Sequence, residues 1–98
     1  MRNDSYKIIP NSLRKYRRAS GFREKDVAEI LGLNSASQIS RWEKGVCLPS
    51  PLTMFKLAIL YRTMVDGLFI DLRRMLINDL RKREKKVLGY RTKGDEDR

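Results

Sequence analysis

The chain has no histidine and one cysteine, Cys47, among its 98 residues. Histidine is the usual general base and the commonest imidazole metal ligand, so those roles have no carrier. A lone cysteine forms no internal disulfide and suits a reducing cytoplasm. Metal sites and Cys/His catalysis therefore have almost no material, and no nucleophile–base set can be assembled. No cofactor, no metal and no enzymatic activity are expected. No segment approaches about 20 consecutive apolar residues, so no membrane span is expected. The opening MRNDSYKIIP lacks a long apolar run and is not expected to be a secretory signal. Carboxylates are scarce as well: Asp and Glu number 12 against 22 Lys and Arg, a net charge of +10. Such an excess points to an anionic partner, either nucleic acid or an acidic membrane surface. The length suits one domain with one modest core.

What the sequence does have is helical periodicity. A first helix is expected after Pro10, with Asn11 as N-cap and Gly21 past its end. Leu13, Tyr16 and Ala19 or Ser20 form its inner stripe. A second runs from about Glu24 to Leu31, with Val27, Ala28 and Leu31 inward and Gly32 as terminator. A third runs from Ser35 or Ala36 to Lys44, anchored by Ile39 and Trp42, with Asn34 or Ser35 as cap. Ser50 and Pro51 open a fourth. Its expected buried positions are Leu52, Phe55, Ala58 and Ile59, with Tyr61 open. After a break near Arg62-Thr63, Asp66-Gly67-Leu68-Phe69 begins a fifth helix that continues to about Leu88. Four parts follow: an arm over 1–10, a compact domain over 11–70, a helical extension over 71–88 and a polar flexible tail over 89–98. The arm brings Arg2 and Lys7, with Tyr6, Ile8 and Ile9 packing outside the domain. Cys47, in the loop after the third helix, reads as a half-buried thiol.

The stretch FREKDVAEILGLNSASQISRWEKG, residues 22–45, is a helix, a tight polar turn and a second helix. Ala28 is small enough for two helices to cross, and Gly32 permits the sharp exit. With Ile39 and Trp42 pointing down, ~100° per residue turns Ser37, Gln38, Arg41 and Lys44 outward, with Ser35 and Ala36 at the leading end. The leading end of such a helix enters the major groove. Arg41 can donate two hydrogen bonds to guanine, and Gln38 can pair with adenine. Ser35 and Ser37 can bond base or phosphate, and Ala36 can touch a thymine methyl. Lys44 and Lys56 suit phosphates, which position without reading sequence.

These residues resemble the Cro and phage-repressor, or XRE-type, helix-turn-helix family over residues 12–69. The resemblance is carried by Leu13, Tyr16, Arg17, Gly21 and Phe22. It continues through Val27, Ala28, Leu31 and Gly32, and through ISRWEKG with LPS two residues later. Leu57, Ala58, Asp66, Leu68 and Phe69 complete it. It implies an all-α, five-helix lambda-repressor-like domain, here with an extended C-terminal helix. It also implies binding of duplex DNA, usually as a dimer, usually to regulate transcription. By position, Arg17 and Glu43 match a pair that joins the first and third helices by a salt bridge. The sequence departs from the family twice. The turn before Ile39 is one residue longer, which leaves the register of Ser35 to Ser37 open by one. Arg23 and Glu24 stand where the family has Thr or Ser and then a phosphate-holding Gln. Glu24 would repel a phosphate, so Arg23 and Lys25 are expected to take the backbone contact while Glu24 serves the helix N-terminus.

The stripe Phe69, Leu72, Met75, Leu76 and Leu80 lies on a helix of about 33 Å at ~1.5 Å per residue, too long for one small domain to cover. Leu72, Leu76 and Leu80 are expected to form a homodimer contact or to hold another protein. Asp79 and Arg83 interrupt the repeat, so no long zipper forms. The basic run from Arg81 to Lys86 reads as a solvated helix end or added DNA footprint, with no membrane role because the apolar face fades where the charge begins. The expected function is a sequence-specific DNA-binding transcriptional repressor in the cytoplasm, associated with the nucleoid. The alternatives are the antitoxin half of a toxin–antitoxin pair, or a protein-interaction module that no longer reads DNA.

Overall fold

The computed structural model describes the backbone of residues 8–92 and the side chains of residues 8–89. Arg2, Tyr6, Lys7 and the end of the tail lie outside the described residues. Among the described residues six helices follow one another: α1 (Leu13–Ala19), α2 (Glu24–Leu31), α3 (Ser37–Glu43), α4 (Pro51–Leu60), α5 (Val65–Leu68) and α6 (Ile70–Thr92). Among the described residues none forms a strand. The core gathers Leu13 from α1, Val27 and Ala28 from α2, Ile39 and Trp42 from α3, Leu57 and Ala58 from α4, then Tyr61, Leu68 and Phe69. The Trp42 ring is buried, and its Nε1 has no hydrogen-bond partner among the described residues.

The helix starts show how short polar side chains set the frame. Ser12, not Asn11, is the N-cap of α1. Asn11 nevertheless satisfies an orphan donor: its Oδ1 accepts from the Leu13 amide at 3.0 Å. Its Nδ2 donates to the carbonyls of Ile9 at 3.0 Å and Trp42 at 3.2 Å, and more weakly to that of Glu43 at 3.4 Å. One amide thus ties the start of α1 to the end of α3, where unpaired carbonyls need donors. In the same way α3 has Ala36 as its N-cap residue, while the Ser35 hydroxyl accepts from the Ser37 amide at 3.3 Å. Helix α4 starts as expected, with Ser50 Oγ accepting from the Thr53 amide and Pro51 in the first turn.

Three expectations are corrected by packing. The third inner position of α1 is Arg17; Ala19 and Ser20 are exposed. On α4, Leu57, Ala58 and the following Tyr61 are buried, whereas Leu52, Phe55 and Ile59 are 66%, 61% and 76% exposed. Almost every residue of PLTMFKLAIL is apolar, so periodicity alone offers two faces, and α2, α3 and α5 choose between them. The expected fifth helix is two helices. Phe69, at φ −130° and ψ 42°, breaks it so that α5 packs in the domain and α6 leaves in a new direction, running past Leu88 to Thr92.

Gly45 ends α3 at φ +78°, a conformation costly for any residue with a Cβ. Its carbonyl accepts from the Ile9 amide at 2.9 Å, which lays the chain before α1 along the end of α3. A Cβ here would meet the Ile9 carbonyl oxygen at 2.5 Å and Ile8 Cγ2 at 2.8 Å. Backbone sits against it and cannot swing aside. Gly45→Ala is expected to lower unfolding stability by about 1–3 kcal/mol, read as a lower urea midpoint. Gly32→Ala shares the positive φ but meets no atom within 4 Å, so it should cost less.

Candidate nucleic-acid interface

Helix α3 is held by its C-terminal end. Glu43 has only 1% of its side chain exposed, and Arg17 has 10%. The two form a two-point pair: Arg17 Nε donates to Glu43 Oε2 at 2.6 Å and Nη2 to Oε1 at 3.1 Å. Arg17 Nη1 donates to the Phe22 carbonyl at 2.9 Å, so one guanidinium joins α1, α3 and the loop before α2. Arg14 reaches the same carboxylate at 3.5 Å. The hydrogen bond to Glu43 raises the Arg17 pKa above its ordinary value, which keeps the guanidinium charged throughout. Burial pushes the Tyr61 phenol, near Glu43 and Arg17, up to about 12.

The opposite side of α3 is open. Ser35, Ser37, Gln38, Arg41 and Lys44 are exposed. Gln38 and Arg41 sit three apart on one face, and among the described residues neither spends its side chain on an internal bond. The hydroxyls of Ser35 and Ser37 bond each other at 2.8 Å. Ala36 is half-buried and packs against the core, which draws it away from the exposed face expected to read bases. A groove of about 460 Å³ between the starts of α3 and α4 is lined by Ser35, Ser37 and Gln38, with Ser50 and Thr53. Helix α4 presents its positive dipole end there. Thr53 lines this groove although no local sequence signal marks it. Asn11, expected only as a cap, proves to be part of the support under α3.

The basic residues divide. Lys25 lines a second groove with Ser35 and Ala36, so it stands beside the leading end of α3. Arg23 folds back on Asp26 at 2.9 Å, while its backbone amide donates to the same carboxylate at 2.8 Å. This pairing holds Asp26 down at about 2. Arg23 must leave Asp26 to meet a phosphate. Lys56 lines another hollow, with Ile30, Leu31, Ile59 and Leu60, and is not brought to the Ser35–Gln38 groove. Glu24 lies 3.9 Å from Arg17. Partial burial and the neighbouring Glu43 carboxylate hold its pKa above the ordinary value.

Two stability outcomes follow from this cluster. Glu43→Gln or Arg17→Met alone should cost about 3–5 kcal/mol by stranding a buried charge, with the double change costing less than the sum. Urea unfolding of the four proteins checks this. Glu24 behaves oppositely. A carboxylate with a raised folded pKa opposes folding wherever the unfolded chain is already ionised. Glu24→Gln should therefore be stabilising at neutral pH, and the gain should vanish as pH falls below about 4, where both states carry the proton. Melting temperatures from pH 3 to 8 follow the crossover.

No curated protein and no solved structure matches the chain. Residues 13–67 match a helix-turn-helix family model, over α1 to α4 and all but the last residue of α5. Among the described residues no helix is long and apolar enough to cross a membrane. The match spans more than half of the chain, and the chain belongs to the XRE-type helix-turn-helix family of DNA-binding regulators, to which Cro and the C1 repressors also belong.

Proposed function

We propose that this protein is a sequence-specific transcriptional repressor that reads duplex DNA as a homodimer. The observation that carries the reading is the exposed row Ser37, Gln38 and Arg41 on a helix anchored from its far end. Arg41 would donate two guanidinium N–H groups to guanine O6 and N7, and Gln38 would pair with adenine N6 and N7. Ser35 and Ser37 would bond the same base edges or the flanking phosphate. Lys25 and Lys44 would take phosphates on either side of the reading helix, and Arg23 would join them on release from Asp26. Lys56 is the weakest of the proposed phosphate contacts, because its hollow is apolar. Repression follows from occupancy: a dimer on two half-sites about 34 Å apart covers one face of a promoter. The cytoplasm, at the nucleoid, is where such a protein would act.

A second reading, binding another protein as an antitoxin does, draws on the apolar residues Leu52, Phe55 and Ile59 left open on α4. It adds a partner without removing the DNA surface.

Binding to random duplex DNA should weaken by about 0.9 log units per phosphate contact for each tenfold rise in salt. No duplex binding at low salt would overturn the reading. Once a site is selected from random sequence, Arg41→Ala should cost about 1–3 kcal/mol on it and flatten preference at one base pair. Lys44→Ala should weaken all sequences alike and reduce the salt slope. Fluorescence anisotropy on matched and mismatched duplexes distinguishes the two.

A further inference from the structure

Helix α4 departs from the usual division of a surface helix. In PLTMFKLAIL only Thr53 and Lys56 carry polar side chains, yet the core covers one side alone, at Leu57 and Ala58. A helix apolar all round is normally covered all round. Here Leu52, Phe55 and Ile59 are each more than half exposed. At ~100° per residue they lie within ~60° of one another, a row about 10 Å long. Beside the row a hollow of about 290 Å³ opens between α2 and α4, lined by Ile30, Leu31, Lys56, Ile59 and Leu60. Ile30 is also more than half exposed. None of these five residues lines the groove at the starts of α3 and α4.

The charge beside the row is of one sign. Residues 51–63 carry Lys56 and Arg62 and no carboxylate. Lys56 borders the row, ~40° around the helix from Leu52. No carboxylate lines its hollow, and Lys56 forms no ion pair among the described residues. Arg62 donates to the Leu60 carbonyl at 3.4 Å and likewise meets no carboxylate among the described residues. On α2, Asp26 stands one turn before Ile30, but Arg23 already holds it at 2.9 Å. Glu29 turns ~100° away from Ile30 and lines a different groove.

We propose that this row and hollow dock an acidic amphipathic helix of a partner protein. The proposal rests on the second reading above and names the partner's chemistry. Apolar side chains three and four apart on the docked helix pack between Ile30 and the row of Leu52, Phe55 and Ile59. Carboxylates on its flank meet Lys56 and Arg62, the two cations that lack one. An extended peptide has no strand edge to join among the described residues, so a helix laid in a groove is the mode this surface offers. A second copy on the same face would set Lys56 against Lys56 about the two-fold axis. An anionic bilayer calls for a broad apolar face rimmed by many cations, and this narrow row has two.

The test is a phage-displayed library of helices of about five turns, with Leu fixed along one face and Glu or Lys free at every other position. Selection on the full chain should enrich Glu beside the Leu stripe. Phe55→Ser should weaken the selected peptides about tenfold or more and leave duplex DNA affinity unchanged. Lys56→Glu should turn the same selection toward Lys. Both substitutions are exposed, and circular dichroism with urea midpoints checks that the fold is kept. Peptides with no preference for Glu, or indifferent to Phe55→Ser, overturn the docking and leave the second reading standing. A library that yields no binder overturns both. Two further measurements address the rival occupants. Binding to phosphatidylglycerol–phosphatidylcholine vesicles that Phe55→Ser abolishes overturns the proposal in favour of a membrane. A dimer that Phe55→Ser dissociates in sedimentation overturns it in favour of a second copy.

Discussion

Glu43 ends α3, where the helix dipole is negative and carbonyls lack partners, so a carboxylate there is doubly unfavourable. It is also almost fully buried. Only strong donors make that position tolerable, and Arg17 supplies two hydrogen bonds in the planar geometry that a carboxylate accepts. The adjacent Asn11 amide serves the carbonyls of the same turn. Everything exposed on α3 depends on this arrangement. The helix has seven residues, too short to be stable alone, and gets its orientation from neighbours. Fixing its rear end with charge and its underside with Ile39 and Trp42 leaves Gln38 and Arg41 free of structural duty.

That division explains which parts were readable from residues alone. Helix α2 has the expected bounds because polar and apolar positions alternate sharply and Gly32 punctuates its end. Ile39 and Trp42 are inward because the rest of SQISRWE is polar. The face of α4 could not be read in the same way. Leu52, Phe55 and Ile59 make as good a stripe as Leu57, Ala58 and Tyr61, and only tertiary contact separates them. The break at Phe69 carries no proline or glycine and arises from packing α5 against α4. Arg62, at φ +55°, likewise closes α4 where a glycine would have signalled the turn.

At the reading surface, the residue types were legible and their surroundings were not. Gln38 and Arg41 stand open because helical spacing from two anchored residues leaves them no other direction. Ala36 is the N-cap residue of α3 and packs inward, while the Ser35 hydroxyl accepts from the Ser37 amide from one residue further back. Helix α3 therefore starts at Ser37. Arg23 was unreadable for a different reason. Its expected phosphate role neglects Asp26, three residues on, which captures the side chain in the free protein. This exposed pair is held weakly, so a phosphate could compete for the guanidinium.

Charge limits what can cover the apolar face left open on α4. The α4 face has Lys56 between Phe55 and Ile59, with no carboxylate in its hollow. Pairing that face with its own copy about a two-fold axis would bring two ammonium groups together over apolar surface, a cost that burial makes worse. The α4 face suits a partner that brings both apolar side chains and a carboxylate, and a chain of net +10 does not supply such a partner readily from its own surface. Such a partner on α4 would leave the exposed side of α3 undisturbed.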